Sequence, residues 1–133
     1  MKPDWQDAAE QGDEAELRAM LEAGEDLNAH DRYGQTALML AARHGHLEAA
    51  RALVDAGADL DHTAKYRLTA LMLATINGHY LVARLLVEAG ADTRITGTGA
   101  PGFAGRTALD LANNLGRESI AQVLLGRGGP TDE

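Results

Sequence analysis

Histidine side chains give this sequence its best prospect of metal chemistry, and two of the five lie two positions apart. His44 and His46 have the His-X-His spacing, which offers two nitrogen ligands to a zinc ion. A protein zinc site needs at least one further ligand, and none stands at a compelling spacing. The chain contains no cysteine, so thiolate ligands, thiol nucleophiles and disulfides are excluded. We therefore predict no metal site and no cofactor.

A glycine-rich segment, residues 97–102, has the pattern GxGxxG that is typical of dinucleotide-binding loops. That function requires a preceding strand, a following helix and an acidic residue about 20 positions later. Here Pro101 lies inside the pattern, and Asp110 and Glu118 stand at the wrong distances. We interpret the segment as a structural loop.

An anion site next to this loop is a separate hypothesis. The sequence Gly-Arg-Thr at 105–107 weakly resembles a phosphate-binding loop, but Arg106 stands where that motif has lysine and Ala100 where it has its first glycine. Thr107 is predicted to begin a helix, whose N-terminus favours anions. A small-anion sensor that uses Arg106 is therefore kept as an alternative function.

Nucleophilic catalysis is not predicted. Ser119 is the only serine, and it lies within a predicted helix without the flanking glycines of a nucleophile elbow. The carboxylates of the predicted helices are most simply a solvated face. The sequence therefore indicates a protein that is not an enzyme.

Composition limits the partner classes. The chain has 133 residues, five of them aromatic, and its apolar content is mainly Ala, Leu and Val, as in closely packed helices. A net charge of −8 argues against general nucleic-acid binding, and no apolar run approaches the length of a membrane span. The first eleven residues lack the apolar core of a secretory signal, so we expect a cytoplasmic protein. Ten Arg against two Lys, with many Ala, weakly suggests a bacterial source.

The elements that must position any site come from an internal repeat. Residues 34–41 and 67–74 share Thr-Ala-Leu-Met-Leu-Ala at an offset of 33, and a further copy begins at Thr107 after an offset of 38. Each copy has a threonine that can cap a short helix, a glycine that ends it, and a second helix that ends at another glycine. A single such helix pair cannot bury its apolar face, so stacking is required.

These motifs resemble the ankyrin repeat. The resemblance rests on Thr-Ala-Leu-Met-Leu-Ala-Ala at 36–42, Gly-His-Leu-Glu-Ala-Ala-Arg-Ala-Leu-Val at 45–54 and Ala-Gly-Ala-Asp at 56–59, and it covers residues 5 to 125. It implies an all-α solenoid of helix-turn-helix units with short β-hairpin tips. We expect a single domain over 1–133, with repeats near 1–29, 30–62, 63–95 and 101–127, a glycine-rich insertion at 96–105 and a flexible tail at 126–133.

The copies depart from the family pattern in two ways. The family's Thr-Pro-Leu-His is Thr-Ala-Leu-Met at 36–39 and 69–72 and Thr-Ala-Leu-Asp at 107–110, so each copy lacks the proline and the histidine of the first helical turn. Ala64 and Arg67 replace the Asp and Gly of the third copy's tip, which predicts a distorted turn there.

The resemblance also implies that a partner protein binds the concave face, which the tips and the first helices form. Carried over position by position, the tip candidates are Arg32, Tyr33, Gln35, Lys65, Tyr66, Leu68, Phe103 and Arg106. The candidates at the ends of the first helices are Arg43, His44, Ile76, Asn77, Asn114 and Leu115.

Tyr33 and Tyr66 stand 33 residues apart, each beside a cation, and Phe103 takes a similar place on the last tip. Exposed aromatic residues with basic neighbours are typical of interface hot spots, although these tyrosines can instead simply pack along the neighbouring repeat. Acids are concentrated in residues 1–26 and absent between Asp61 and Glu88. We therefore predict a non-catalytic adaptor or inhibitor whose partner is a protein with an acidic surface and apolar anchors.

The period breaks at the insertion, whose one large apolar residue is Phe103. Repeat arrays accept insertions where loops face the binding side, so this loop is a second candidate contact, and an ordinary loop without a role is the alternative. An engineered binding scaffold is also considered, but its copies should be nearly identical, and these are not.

Overall fold

Four helix pairs follow one another along the chain in the computed structural model, which describes residues 1–126. One pair falls within each predicted repeat. Apart from Gly126, the predicted flexible tail 126–133 lies outside the described residues. The helices are α1 (Pro3–Gln11), α2 (Glu14–Glu22), α3 (Ala37–His44), α4 (Leu47–Asp55), α5 (Ala70–Ile76), α6 (Tyr80–Glu88), α7 (Ala108–Leu115) and α8 (Glu118–Leu124).

The helices form two layers. Each of the first helices α1, α3, α5 and α7 packs on the next one, and the second helices α2, α4, α6 and α8 do the same behind them. The first helices carry most of the core, and small residues such as Ala41, Ala42 and Ala74 are fully buried where neighbouring helices meet. This is the all-α solenoid that the period predicts.

Threonine caps begin three of the first helices, as predicted. The Thr36 hydroxyl accepts a hydrogen bond from the Met39 amide (3.3 Å), and Thr69 repeats this bond with Met72 (3.2 Å). In the fourth copy Asp110 replaces that methionine, and its carboxylate accepts a hydrogen bond from the Thr107 amide (3.0 Å), which completes a capping box. Met39 and Met72 are instead buried in the core.

The same glycine–histidine contact recurs between successive helix pairs. The ring of His79 lies over Gly45, where a Cβ atom would stand 2.5 Å from the ring, and its Nε2 lies 3.1 Å from the Arg43 carbonyl oxygen. His46 makes the same contact with Gly12 and lies 2.8 Å from the Glu10 carbonyl oxygen. Nε2 must carry the proton in these bonds, since a carbonyl oxygen only accepts.

The fourth pair uses a different side chain for the same contact. Arg117 stands where the histidine would be, donates to the Ile76 carbonyl oxygen (2.9 Å) and lies against Gly78. A second link joins the opposite ends of the pairs, where the Asn28 side chain accepts from the Asp59 amide (2.9 Å) and Asp61 accepts from Asp92 (2.8 Å).

The hairpins at the tips are short and contain no strand within the described residues. Within residues 1–126 the only extended pairings are two isolated bridges, one of which joins His30 and Thr36 in antiparallel fashion. The Asp31 amide donates to the Gln35 carbonyl oxygen (3.0 Å) and the Ala64 amide to that of Leu68 (2.8 Å), and the pairing extends no further because other tip amides bond elsewhere. The Asp31 carboxylate accepts from the amides of Tyr33 and Gln35 (both 2.9 Å), and each tip bonds sideways to the next.

The third copy's tip has the distortion that Ala64 and Arg67 predict. Without the aspartate carboxylate, Tyr66 and Arg67 adopt left-handed backbone angles, with φ of 63° and 59°. In the second copy the position of Arg67 is held by Gly34, at φ 80°, where the left-handed region carries no Cβ penalty.

Replacement of Gly45 by alanine tests the stacking contact. Gly57→Ala, at φ 94° with no atom within 4 Å of the added Cβ, should pay only the left-handed penalty of about 1–2 kcal/mol. Gly45→Ala should lose about 1–3 kcal/mol more, because the His79 ring must move and give up its bond to Arg43. Urea unfolding measures both losses, and equal losses would contradict the role of this contact.

Relief of the third tip's strain should stabilise the protein. Arg67→Gly is expected to raise the free energy of unfolding by about 0.5–1 kcal/mol, since the relieved left-handed strain exceeds the added entropy of the unfolded chain. Arg67→Ala removes the same charge but keeps the Cβ atom, so it should leave stability within about 0.5 kcal/mol of wild type. Thermal and urea unfolding of the three proteins would decide this.

Candidate protein-binding groove

The tips and the first helices enclose an open groove of about 590 Å³. Its lining combines apolar side chains with amide and charged ones. The groove is lined by Gln6, Glu10, Asp31, Tyr33, Gln35, Arg43, Ala64, Lys65, Tyr66, Leu68, Leu73, Ile76, Asn77 and Phe103.

Most of the predicted contact residues come together in this groove. They are Tyr33, Gln35, Arg43, Lys65, Tyr66, Leu68, Ile76, Asn77 and Phe103. The groove therefore includes both predicted tyrosines and the large apolar residue of the insertion.

The other predicted residues lie outside this groove. Arg32 lines a neighbouring depression beside Met1 and His30, and His44 is exposed, with its ring 6.1 Å from that of His46. The groove ends at Phe103 and includes no residue of α7, so exposed Asn114 and Leu115 are not part of it. Half-buried Arg106 is held by backbone bonds to Gly97 and Phe103.

Sequence reasoning missed five lining residues: Gln6, Glu10, Asp31, Ala64 and Leu73. The sequence could have predicted Glu10, because it precedes Arg43 by the same 33 residues that separate Arg43 from Ile76. Gln6 precedes Met39 by the same offset, but Met39 is buried in the core, so the period gives no sign that Gln6 lines the groove. Asp31 lines the groove at the same time as its carboxylate shapes the tip.

The two tyrosines have different surroundings. Tyr33 is 54% exposed, and its only ring contact among the described residues is the Arg32 guanidinium, 5.8 Å from the ring centre. Tyr66 is 37% exposed because its ring packs on Phe103, with centroids 5.8 Å apart, and against Gly99. Tyr66 thus packs along the next tip, whereas Tyr33 leaves its ring open to solvent.

The charges of the groove are mixed rather than basic. Arg43 and Lys65 line it together with Glu10 and Asp31. The Lys65 ammonium lies 5.1 Å from the Tyr66 ring centre, and the Arg43 guanidinium donates to the Gln35 amide oxygen (3.2 Å). A uniformly acidic partner surface would therefore meet two carboxylates as well as two cations.

The insertion is held by its own backbone. Seven amides between Gly97 and Arg106 donate to carbonyl oxygens, and the Thr98 amide donates to Tyr66 of the previous tip (2.8 Å). The N-terminus of α7 already faces the Asp110 carboxylate through the Thr107 amide. These bonds argue against the anion-sensor alternative, because the donors that an anion needs are mostly in use.

The shifted pKa values belong to surface ion pairs outside the groove. The hydrogen bond that Arg84 donates to Glu88 raises the pKa of Arg84, and the one that Arg94 donates to Asp92 raises that of Arg94. The pKa of Asp92 is lowered, first by the Arg94 amide and then by its guanidinium. Within residues 1–126, no cluster of three His or acidic side chains could hold a metal ion, and no helix is long and apolar enough to cross a membrane.

Comparison with known proteins gives one family match. The family model described as ankyrin repeats (3 copies) matches residues 5–97 and 65–132. A search of curated proteins found no match to the chain.

Alanine substitution should separate the two tyrosines. Tyr66→Ala is expected to lower the free energy of unfolding by about 1 kcal/mol, since it removes the ring contact with Phe103. Tyr33→Ala should change it by less than about 0.5 kcal/mol, because the ring is open to solvent. Urea unfolding measures both, and a larger loss in Tyr33→Ala would show that this ring also has a structural role.

Proposed function

Since the chain belongs to the ankyrin-repeat family, we propose that it is a non-catalytic protein-binding module, an adaptor or an inhibitor, whose partner docks in the groove. Ankyrin repeats are generally modules for protein–protein interaction. The cytoplasmic location and the bacterial source stay predictions of the sequence.

The observation that carries the proposal is that the exposed ring of Tyr33 lines the same groove as apolar side chains. Half-buried Leu68 and Ile76 are among them, and they keep apolar surface in contact with water until a partner covers it. A large, rigid aromatic side chain beside a partly buried apolar surface is typical of the centre of a protein interface. The amide and charged side chains of the same groove supply polar contacts beside this apolar surface.

A pair of matched variants tests this assignment by affinity capture from cells that express the protein. The groove variant, Tyr33→Ala with Leu68→Ala, removes one exposed and one half-buried apolar side chain. The convex-face variant, Leu81→Ala with Leu47→Ala, removes the same kinds of side chain from the second helices.

We expect wild type and the convex-face variant to capture a common protein, identified by mass spectrometry, that the groove variant loses. Melting curves of all three proteins serve as the control for folding. Capture that survives in the groove variant but fails in the convex-face variant would place the partner on the opposite side of the stack and reject the groove.

A further inference from the structure

Three positions on the groove floor are equivalent because their backbones make the same bond. Each carbonyl oxygen accepts from the side chain that begins the second helix of the next pair: Glu10 from His46 (2.8 Å), Arg43 from His79 (3.1 Å) and Ile76 from Arg117 (2.9 Å). All three side chains line the groove. We call Glu10, Arg43 and Ile76 the floor row.

The floor row has a direction. From the first helix pair to the third, it presents an acid, a base and then an apolar side chain. Gln6 and Gln35 bond to the two charges, and the apolar side chains Leu68, Leu73 and Phe103 also line the groove. The Lys65 ammonium, over the Tyr66 ring that packs on Phe103, adds a second cation on the side of the insertion.

The two charges of the floor row are available to a partner. The Glu10 carboxylate accepts from the Gln6 amide (3.3 Å), and the Arg43 guanidinium donates to the Gln35 amide oxygen. Neither side chain forms an ion pair with any residue in the described part of the chain. A partner that covers such a charge without supplying the opposite one pays the cost of desolvating it.

We propose that the groove takes one peptide segment of a partner, whose side chains present a base to Glu10, an acid to Arg43 and a large apolar group to Ile76. This inference rests on the proposed function and names the chemistry of the partner. It narrows the predicted acidic partner surface to an acid at one position, flanked by a base on one side and an apolar anchor on the other. Charge complementarity fixes the order.

The distance along the floor row sets the length of the probe. Packed helices lie about 8–10 Å apart, so the row spans roughly 16–20 Å. A helix of about 14 residues or an extended segment of about six covers this distance. A displayed library of random peptides of about 16 residues therefore includes both forms.

The test selects this library against the immobilised full chain and against the charge-exchanged variant Glu10→Arg with Arg43→Glu. Peptides from the wild-type selection are kept for analysis when they bind the convex-face variant and not the groove variant. Peptides from the charge-exchanged selection are kept when they bind that protein with the convex-face substitutions added and not with the groove substitutions added. Against wild type, we expect the charge next to the apolar anchor to be an acid and the farther charge a base, in either chain direction. Against the charge-exchanged variant, the two charges should exchange places.

Single peptides give the second measurement. A peptide selected on wild type should bind Arg43→Glu at least tenfold more weakly, and a reversed charge at its acidic position should restore affinity for that variant. Melting curves check that every variant folds.

The outcomes separate the two proposals. Groove-dependent peptides without a charge order, or with the same order in both selections, would overturn this inference and leave the proposed function standing. A selection that enriches only peptides that still bind the groove variant, or none at all, would contradict both.

Discussion

The stack depends on a glycine at the end of a first helix and on an imidazole ring that lies where a Cβ atom of that residue would be. His46 and His79 can reach the carbonyl oxygens of the previous pair only because Gly12 and Gly45 leave room above them. In α1, α3 and α5 the contact gives a hydrogen-bond donor to a carbonyl oxygen near the helix end, where carbonyl groups have no partner within the helix. It also fixes the distance between neighbouring pairs, and therefore the spacing of every side chain along the groove.

The period made the architecture predictable, because helix starts, helix ends and the stacking glycines recur at one offset. The same offset predicts Glu10 as a groove position, because Glu10 stands 33 residues before Arg43. The difference between Tyr33 and Tyr66 was beyond the sequence. It arises because the insertion brings Phe103 and Gly99 against one ring, and no local pattern specifies how such a loop folds back.

The insertion shifts the fourth copy by five residues and still leaves the stack continuous. Thr98 keeps the sideways bond to Tyr66 that Lys65 makes to Tyr33, so the extra residues enter after the tips have been joined. The longer Arg117 side chain then reaches the Ile76 carbonyl oxygen in place of a histidine. The stacking contact therefore does not require the 33-residue period, because it is also present where the offset between copies is 38.

One position can serve both stability and recognition. At Glu10, Arg43 and Ile76 the backbone carbonyl oxygen carries the stacking bond, while the side chain points into the groove and has no part in it. An acid, a base and an apolar side chain therefore occupy equivalent places while the backbone keeps the same bond. The glycine beneath each ring has no such freedom, because any Cβ atom would displace the ring.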